Sequence, residues 1–488
     1  MSWPPRPVIY EVNAWVWLQD LSKRWGRGVQ LDSVPDAEWD ALAGRDLDAV
    51  WLMGVWERSP AGRAIAFERQ DLRAEYSRAL PDWQADDVAG SPYCIHAYSV
   101  DPHLGGPAGL AAARGALSRR GLRLLVDFVP NHTAPDHAWV LAHPERFING
   151  TMEDLQRDPQ SFFRTGGHVI ACGHDPYFPA WTDTAQVNAF HPEYRRAAVD
   201  TLRGIAGQAD GVRCDMAMLL INSIFERTWG PRAGSPPGGE FWREVIPAVK
   251  ETDPDFLFIA EAYWDLEWEL QQQGFDYCYD KRLYDRLAHE SPASLRAHLR
   301  AGHDYQDRLM RFIENHDEPR AEAAFGPQRH RTTAAAILTL PGAVLLHEGQ
   351  SEGRRVKLPV QLGRRPAEAP DMDLQRFYDA LLPASHRETL RNGEWALCET
   401  TGWPDNASHG NLLAWCWRGV SDRQLVVLNY SDAPAQGRIQ IPWAELDGRE
   451  WDLRDAWTGA VFRRGGTELQ NEGLFVDLPP WGGHVLTF

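Results

Sequence analysis

Short apolar runs recur through the first two thirds of the chain, and helix-like stretches separate them. The first run is 8–14, Val-Ile-Tyr-Glu-Val-Asn-Ala. The second, 47–54, is nearly all apolar, the mark of a strand buried on both faces of a helix-covered parallel sheet. Further strand signals fall at 122–128, 210–215, 256–261, 309–314 and 342–346, with a weak one near 274–278. Between them, helical periodicity is read at 36–44, opened by Pro35 and Asp36, and at 107–120, 192–207, 330–339 and 373–383. Strands alternating with helices in this way predict a (β/α)8 TIM barrel.

The pattern lapses in three places. Residues 56–106 read as a long polar loop. Residues 129–190 are rich in Pro, Gly, His and aromatics and too long for a plain loop, so an inserted domain is expected after strand three. Past about residue 390, short strands such as 424–430 and 483–488 predict a C-terminal antiparallel β-sandwich. The expected division is a catalytic barrel at 1–128 and 191–388, an inserted domain at 129–190 and a sandwich at 389–488.

Composition narrows the class. A chain of 488 residues with 43% hydrophobic and 24% charged residues reads as a globular protein of more than one unit. Its net charge of −18 argues against nucleic acid and anionic membranes as partners. Neither a membrane-length apolar stretch nor a signal-like N-terminus is apparent, and the six cysteines have no metal-type spacing. A cytoplasmic location with reduced thiols is therefore expected. The 22 tryptophans exceed what a core of this size needs and suit a site that stacks sugar rings.

In a barrel, chemistry sits where strands run into the following loops. Strand three ends at Asp127, with Asn131 and His132 beyond it; strand four ends at Arg213 and Asp215. Strand five ends at Glu261, and strand seven at Glu314, His316 and Asp317. Buried carboxylates are costly unless paired, so convergence of this many points to function. Arg213 and Asp215 lie two residues apart and share one strand face, which keeps Asp215 ionised as a nucleophile. Glu261 has no cation nearby in sequence and suits the general acid. Two such carboxyls flanking a bond are the apparatus of glycoside cleavage.

Several motifs, in this order, resemble those of the α-amylase family, glycoside hydrolase family 13. They are Asp-Phe-Val-Pro-Asn-His (127–132), Gly-Val-Arg-Cys-Asp (211–215), Ile-Ala-Glu-Ala (259–262) and Ile-Glu-Asn-His-Asp (313–317). Weaker matches are Asp-Ala-Val-Trp-Leu (48–52), Gln-Val-Asn (186–188) and Pro-Gly-Ala-Val-Leu-Leu-His-Glu-Gly (341–349). The resemblance implies Asp215 as nucleophile, Glu261 as acid/base and Asp317 as the carboxylate that grips and distorts the sugar. It implies Tyr93 as the stacking tyrosine, His132, Arg213 and His316 as sugar ligands, and Asp127 as the group orienting Arg213. Trp264, just past Glu261, is expected to line the cleft. The implied activity is retaining hydrolysis of α-glucosidic linkages in oligosaccharides.

The chain also departs from that pattern. Cys94 replaces the aspartate after the stacking tyrosine, which disfavours a terminal α-glucosidase. Met218 and Leu219 replace the Lys-His pair many amylases carry, so an apolar leaving-group side is expected, one that would favour a sugar acceptor over water. A transglycosidase with the same covalent intermediate is the alternative; a catalytically inactive sugar-binding relative and metal-dependent hydrolysis are the others. No cofactor is required on this reading. Asn131 aligns with a calcium-ligand asparagine, but calcium wants six to eight oxygens. The cluster Tyr177, Phe178 and Trp181 is expected to be either a sugar platform or the inserted domain's own core.

Overall fold

The computed structural model describes residues 3–488. Eight strands form a closed barrel: β1 (Val8–Asn13), β2 (Ala49–Met53), β3 (Arg123–Phe128), β4 (Gly211–Cys214), β5 (Leu257–Ala260), β6 (Tyr277–Tyr279), β7 (Leu309–Arg311) and β8 (Ala343–His347). Their order around the barrel is their order in the chain. The predicted (β/α)8 architecture is therefore present, and each strand lies within one or two residues of its apolar run apart from the short β6 and β7. Every residue of β1, β2, β4 and β5 is buried, because such strands meet packed side chains inside and helices outside.

Two glycines set strand spacing. Gly211 pairs with Leu257, and a Cβ there would lie 2.8 Å from the Leu257 backbone oxygen. Gly342, at φ +103°, lets the chain pass within a Cβ distance of 2.2 Å of Leu309 O as it enters β8.

The stretch 56–106 is not a plain loop. It holds helices Pro60–Glu68 and Gln70–Ala79, and strands Trp56–Arg58 and Ile95–Val100 pair antiparallel. Its polarity misleads because these helices bury only a few residues each, so their outward faces dominate the composition.

Between β3 and the helix Pro192–Ala206 the chain builds small antiparallel pairs. One is a hairpin, Phe162–Thr165 with His168–Ala171, turned by Gly166 and Gly167, both at positive φ as a two-residue hairpin demands. Another pairs His132–Thr133 with Ala185–Gln186. The C-terminal strands form a six-stranded and a three-stranded antiparallel sheet around a shared apolar core that includes Leu412, Leu425, Val427, Leu453 and Val476. The chain divides into two compact units. One contains Tyr10–Tyr279 and Lys357–Ala367; the other contains Pro4–Ile9, Asp280–Val356 and Glu368–Phe488. No helix among the described residues is long and apolar enough to cross a membrane.

Candidate active site

The first unit gathers its strand-end polar groups around Arg213. Register pairs Arg213 with Asp127 of β3 and with Ile259 of β5, so groups at these strand ends meet side by side. The guanidinium is almost fully buried. Its Nη1 donates to Asp215 Oδ1 at 2.7 Å and lies 3.6 Å from Asp127 Oδ1, and its Nη2 lies 2.9 Å from Glu261 Oε2. Nε points at the Tyr279 hydroxyl at 3.4 Å. The rings of Tyr93, Trp51 and Tyr279 enclose the cation at 5.2, 5.5 and 5.7 Å from their centres. Burial alone would lower its pKa, but Glu261, the two tyrosines and Asp215 outweigh it and hold it well above the ordinary value.

This corrects one expectation. Glu261 does have a cation, Arg213, which arrives from the neighbouring strand and is invisible in local sequence. Glu261 Oε2 also accepts the Met216 N–H at 2.5 Å, and its Oε1 accepts from the Tyr263 hydroxyl at 2.9 Å. Asp127 accepts the Trp51 indole N–H at 3.1 Å, which fixes its carboxylate beside Arg213.

His132 sits on the short pairing with Ala185–Gln186, and its ring lies 5.3 Å from that of Trp181. Burial lowers its pKa, against the nearby charges of Asp215 and Asp183, so the ring is neutral. Its buried Nδ1 has no hydrogen-bond partner among the described residues, leaving it for a ligand. Trp264 packs edge-on to Tyr177 at 4.9 Å. Tyr177 and Phe178 are 58% and 66% exposed, which rules out a core for them and leaves an open aromatic surface.

The Asn131 amide exchanges two hydrogen bonds with Gln186, Nδ2 to Oε1 at 3.2 Å and Oδ1 from Nε2 at 3.0 Å, which fixes the side chain beside the His132 strand. No group of three or more His, Cys, Asp or Glu among the described residues is arranged to hold a metal. Met218 and Leu219 are also corrected. They lie in the 3-10 turn Ala217–Leu220, at 0% and 3% exposure, as core residues rather than as a subsite wall.

The second unit carries the strand-seven motif. His316 is buried, with Nε2 2.8 Å from Asp317 Oδ2. Asn315 Oδ1 accepts the N–H groups of Asp317 and Glu318, both at 2.9 Å, in a tight turn that leaves the Asp317 carboxylate exposed. Glu314 is instead locked by Arg320 at 3.1 Å and by His347 at 3.2 Å. Sequence reasoning missed Tyr279, Tyr263 and Met216. Tyr279 ends the weakest strand signal, and extending that strand by one residue would have found it. The αL backbone of Met216, at φ 44°, has no signature in a methionine.

The family model for the α-amylase catalytic domain matches residues 47–407. The chain is 26% identical over 467 residues to the α-amylase MalA of Haloarcula japonica, covering 92% of this chain and 58% of that protein. It is 22% identical over 422 residues to a cyclomaltodextrinase of Geobacillus thermopakistaniensis, covering 79% and 62%. The chain thus spans about three fifths of the length of these curated relatives. Among solved structures, it is similar to a maltogenic α-amylase of Thermotoga neapolitana, with a TM-score of 0.70 at 19% identity over 99% of this chain and 98% of that one.

Proposed function

The chain belongs to the α-amylase family, and from that premise we propose that it is a retaining α-glycosidase acting on α-glucosidic linkages of oligosaccharides. The observation that carries the proposal is the single guanidinium of Arg213, which touches both Asp215 and Glu261 at 2.7 and 2.9 Å. Two carboxyls held by one guanidinium suit the close pair of a retaining enzyme, about 5–5.5 Å apart, rather than the wider pair that accommodates a water.

Asp215 is the nucleophile on this reading. Arg213 fixes the oxygen that does not attack. Glu261 delivers a proton to the departing oxygen as the Asp215–glycosyl bond forms. Glycosylation neutralises Asp215 and leaves the Arg213 cation to Asp127 and Glu261. Glu261 then accepts a proton from the incoming water, and hydrolysis frees Asp215 with net retention.

Tyr93 and His132 line the sugar, and Asp127 positions Arg213. For His316 and Asp317 the proposed roles, sugar ligand and distorting carboxylate, rest on the motif at 313–317. Trp264 with Tyr177 and Phe178 supplies a stacking surface for further sugar units. The division into barrel, insert and sandwich at 1–128 with 191–388, 129–190 and 389–488 is kept as part of this proposal. The six cysteines are all free and buried, which supports a reducing, cytoplasmic setting.

Trapping tests the reading. A 2-deoxy-2-fluoro or 5-fluoro α-glucosyl fluoride should label Asp215, located by mass spectrometry of peptides. Asp215→Asn should lose about 10⁴-fold or more in kcat, the scale for removing a member of a catalytic unit. A label elsewhere, or unchanged turnover of an activated α-glucoside, refutes the assignment. With Met218 and Leu219 in the core, no observation favours transfer over hydrolysis; products longer than a supplied maltooligosaccharide would overturn the hydrolytic reading.

A further inference from the structure

A cavity of about 630 Å³ opens in the first unit beside the antiparallel pair of Trp56–Arg58 and Ile95–Val100. Trp15, Arg58, Phe67 and His103 line it, and none of Arg213, Asp215 or Glu261 does. Arg58 is only 8% exposed, yet it makes no ion pair among the described residues. Its Nη1 donates to Gly90 O at 2.7 Å, and its guanidinium lies 4.6 Å from the centre of the Trp15 ring. Trp15 in turn stacks on His103 at 4.3 Å and 14°.

The leftover valences are all of one kind. Arg58 Nε and Nη2 and Trp15 Nε1 are buried and have no acceptor among the described residues. Arg63, also at the cavity, is already committed to the backbone, donating to Val88 O and Ala85 O at 2.5 and 3.2 Å. Two carboxylates reach the lining. Asp101 accepts the His103 N–H at 2.8 Å, and Asp86 stays exposed to water. Burial lowers the Arg58 pKa to about 9 against the nearby Asp101 and Tyr93, so it remains a cation at neutral pH.

Arg58 feels Asp101 only through space, with no direct ion pair, and an oxyanion placed across its free edge would supply both charge and acceptors. The volume is that of a small-molecule site and exceeds what a bare anion needs. The rings of Trp15 and Phe67 offer apolar walls for the remainder. We propose that this cavity is a second ligand site, which takes a sugar-sized oxyanion gripped by Nε and Nη2 of Arg58 and by Nε1 of Trp15. A phosphate ester and a uronate share that chemistry.

The test is calorimetric titration of the full chain, in the Asp215→Asn background, with glucose 6-phosphate, glucuronate and glucose at low salt. At least one charged sugar should bind, with affinity falling at least tenfold in Arg58→Gln and several-fold in Trp15→Phe, which keeps the ring and removes only the donor. Glucose should show no dependence on Arg58. If Arg58→Gln fails to fold, Arg58→Lys keeps the cation without the fork and should still weaken binding. The stronger of the two charged sugars identifies the source of the anion. No binding of either at millimolar concentration, or affinities unchanged in Arg58→Lys and Trp15→Phe, overturns the proposal.

Discussion

Arg213 gives two carboxylates different work by reaching them from different sides. Nη1 takes Asp215, and Nη2 takes Glu261, whose second oxygen is held by Tyr263. The proton on Glu261 matters only when the departing group is a poor one. Glu261→Gln should therefore lose about 10²–10⁴-fold on maltooligosaccharides, the usual worth of general acid catalysis. On α-glucosyl fluoride, which departs without a proton, formation of the glycosyl-enzyme should be nearly unimpaired. A burst of fluoride followed by slow turnover is the expected trace, because the second step still needs a base. Equal losses on both substrates would remove Glu261 from the acid role.

At the scale of elements, two short segments carry strain or titration. Met216 adopts φ 44° immediately after Asp215, and that turn aims its N–H at Glu261 Oε2. A left-handed conformation costs a non-glycine residue about 1–2 kcal/mol, and a β-branched one more. Met216→Val should lower the unfolding temperature and kcat together, whereas Met216→Gly should keep the fold; the comparison is a thermal melt with an activity assay on each. His137 caps the helix Ala138–Ala142, its Nδ1 accepting the Trp139 N–H at 3.1 Å, which requires the neutral ring. Burial, then the nearby His96, brings its pKa down to about 4 from 6.5. The folded value lies below the unfolded one, so the unfolded chain binds the extra proton first as pH falls. This contribution is fully present above pH 6.5 and is lost between there and pH 4, by up to about 3 kcal/mol at 1.4 kcal/mol per unit. His137→Asn keeps a capping oxygen and should flatten this part of the pH-stability curve, read from denaturant melts at pH 7 and pH 4.5.

At the scale of the molecule, the boundary expected at 388/389 cuts through one compact unit. Within that unit, Trp415 and Trp417 both donate their indole N–H to Thr339 O, at 3.1 and 2.7 Å. The Tyr430 hydroxyl reaches Leu287 O at 2.5 Å, and the Thr332 hydroxyl reaches Trp481 O. Removing 389–488 would strip two fully buried tryptophans and a buried tyrosine from these partners, at about 1.5–3 kcal/mol of apolar burial for each large side chain. A chain ending at 388 should therefore be insoluble or unfolded rather than a smaller active enzyme. Expression and circular dichroism of the truncated form decide this, and a folded, active product would show the sandwich to be dispensable.

The barrel was legible because burial on both faces forces each strand to be apolar along its whole length, a signal that needs no partner to be read. Asp127, Arg213, Asp215, Glu261, His316 and Asp317 were legible because polar groups ending apolar runs stand out against that pattern. The helices within 56–106 were hidden by their own outward faces. What only the tertiary structure decided depends on neighbours distant in sequence. Glu261 gained a cation from the adjacent strand, Asn131 gave its oxygen to Gln186, and Met218 and Leu219 went into the core. Arg58, an ordinary charge in an apparently polar loop, became a buried cation with no direct ion pair only once Trp15 and His103 closed around it. Sequence determined which side chains stand at the strand ends, since that follows from local pattern. Packing determined which charge each of them meets, since that follows from register and closure between segments scores of residues apart.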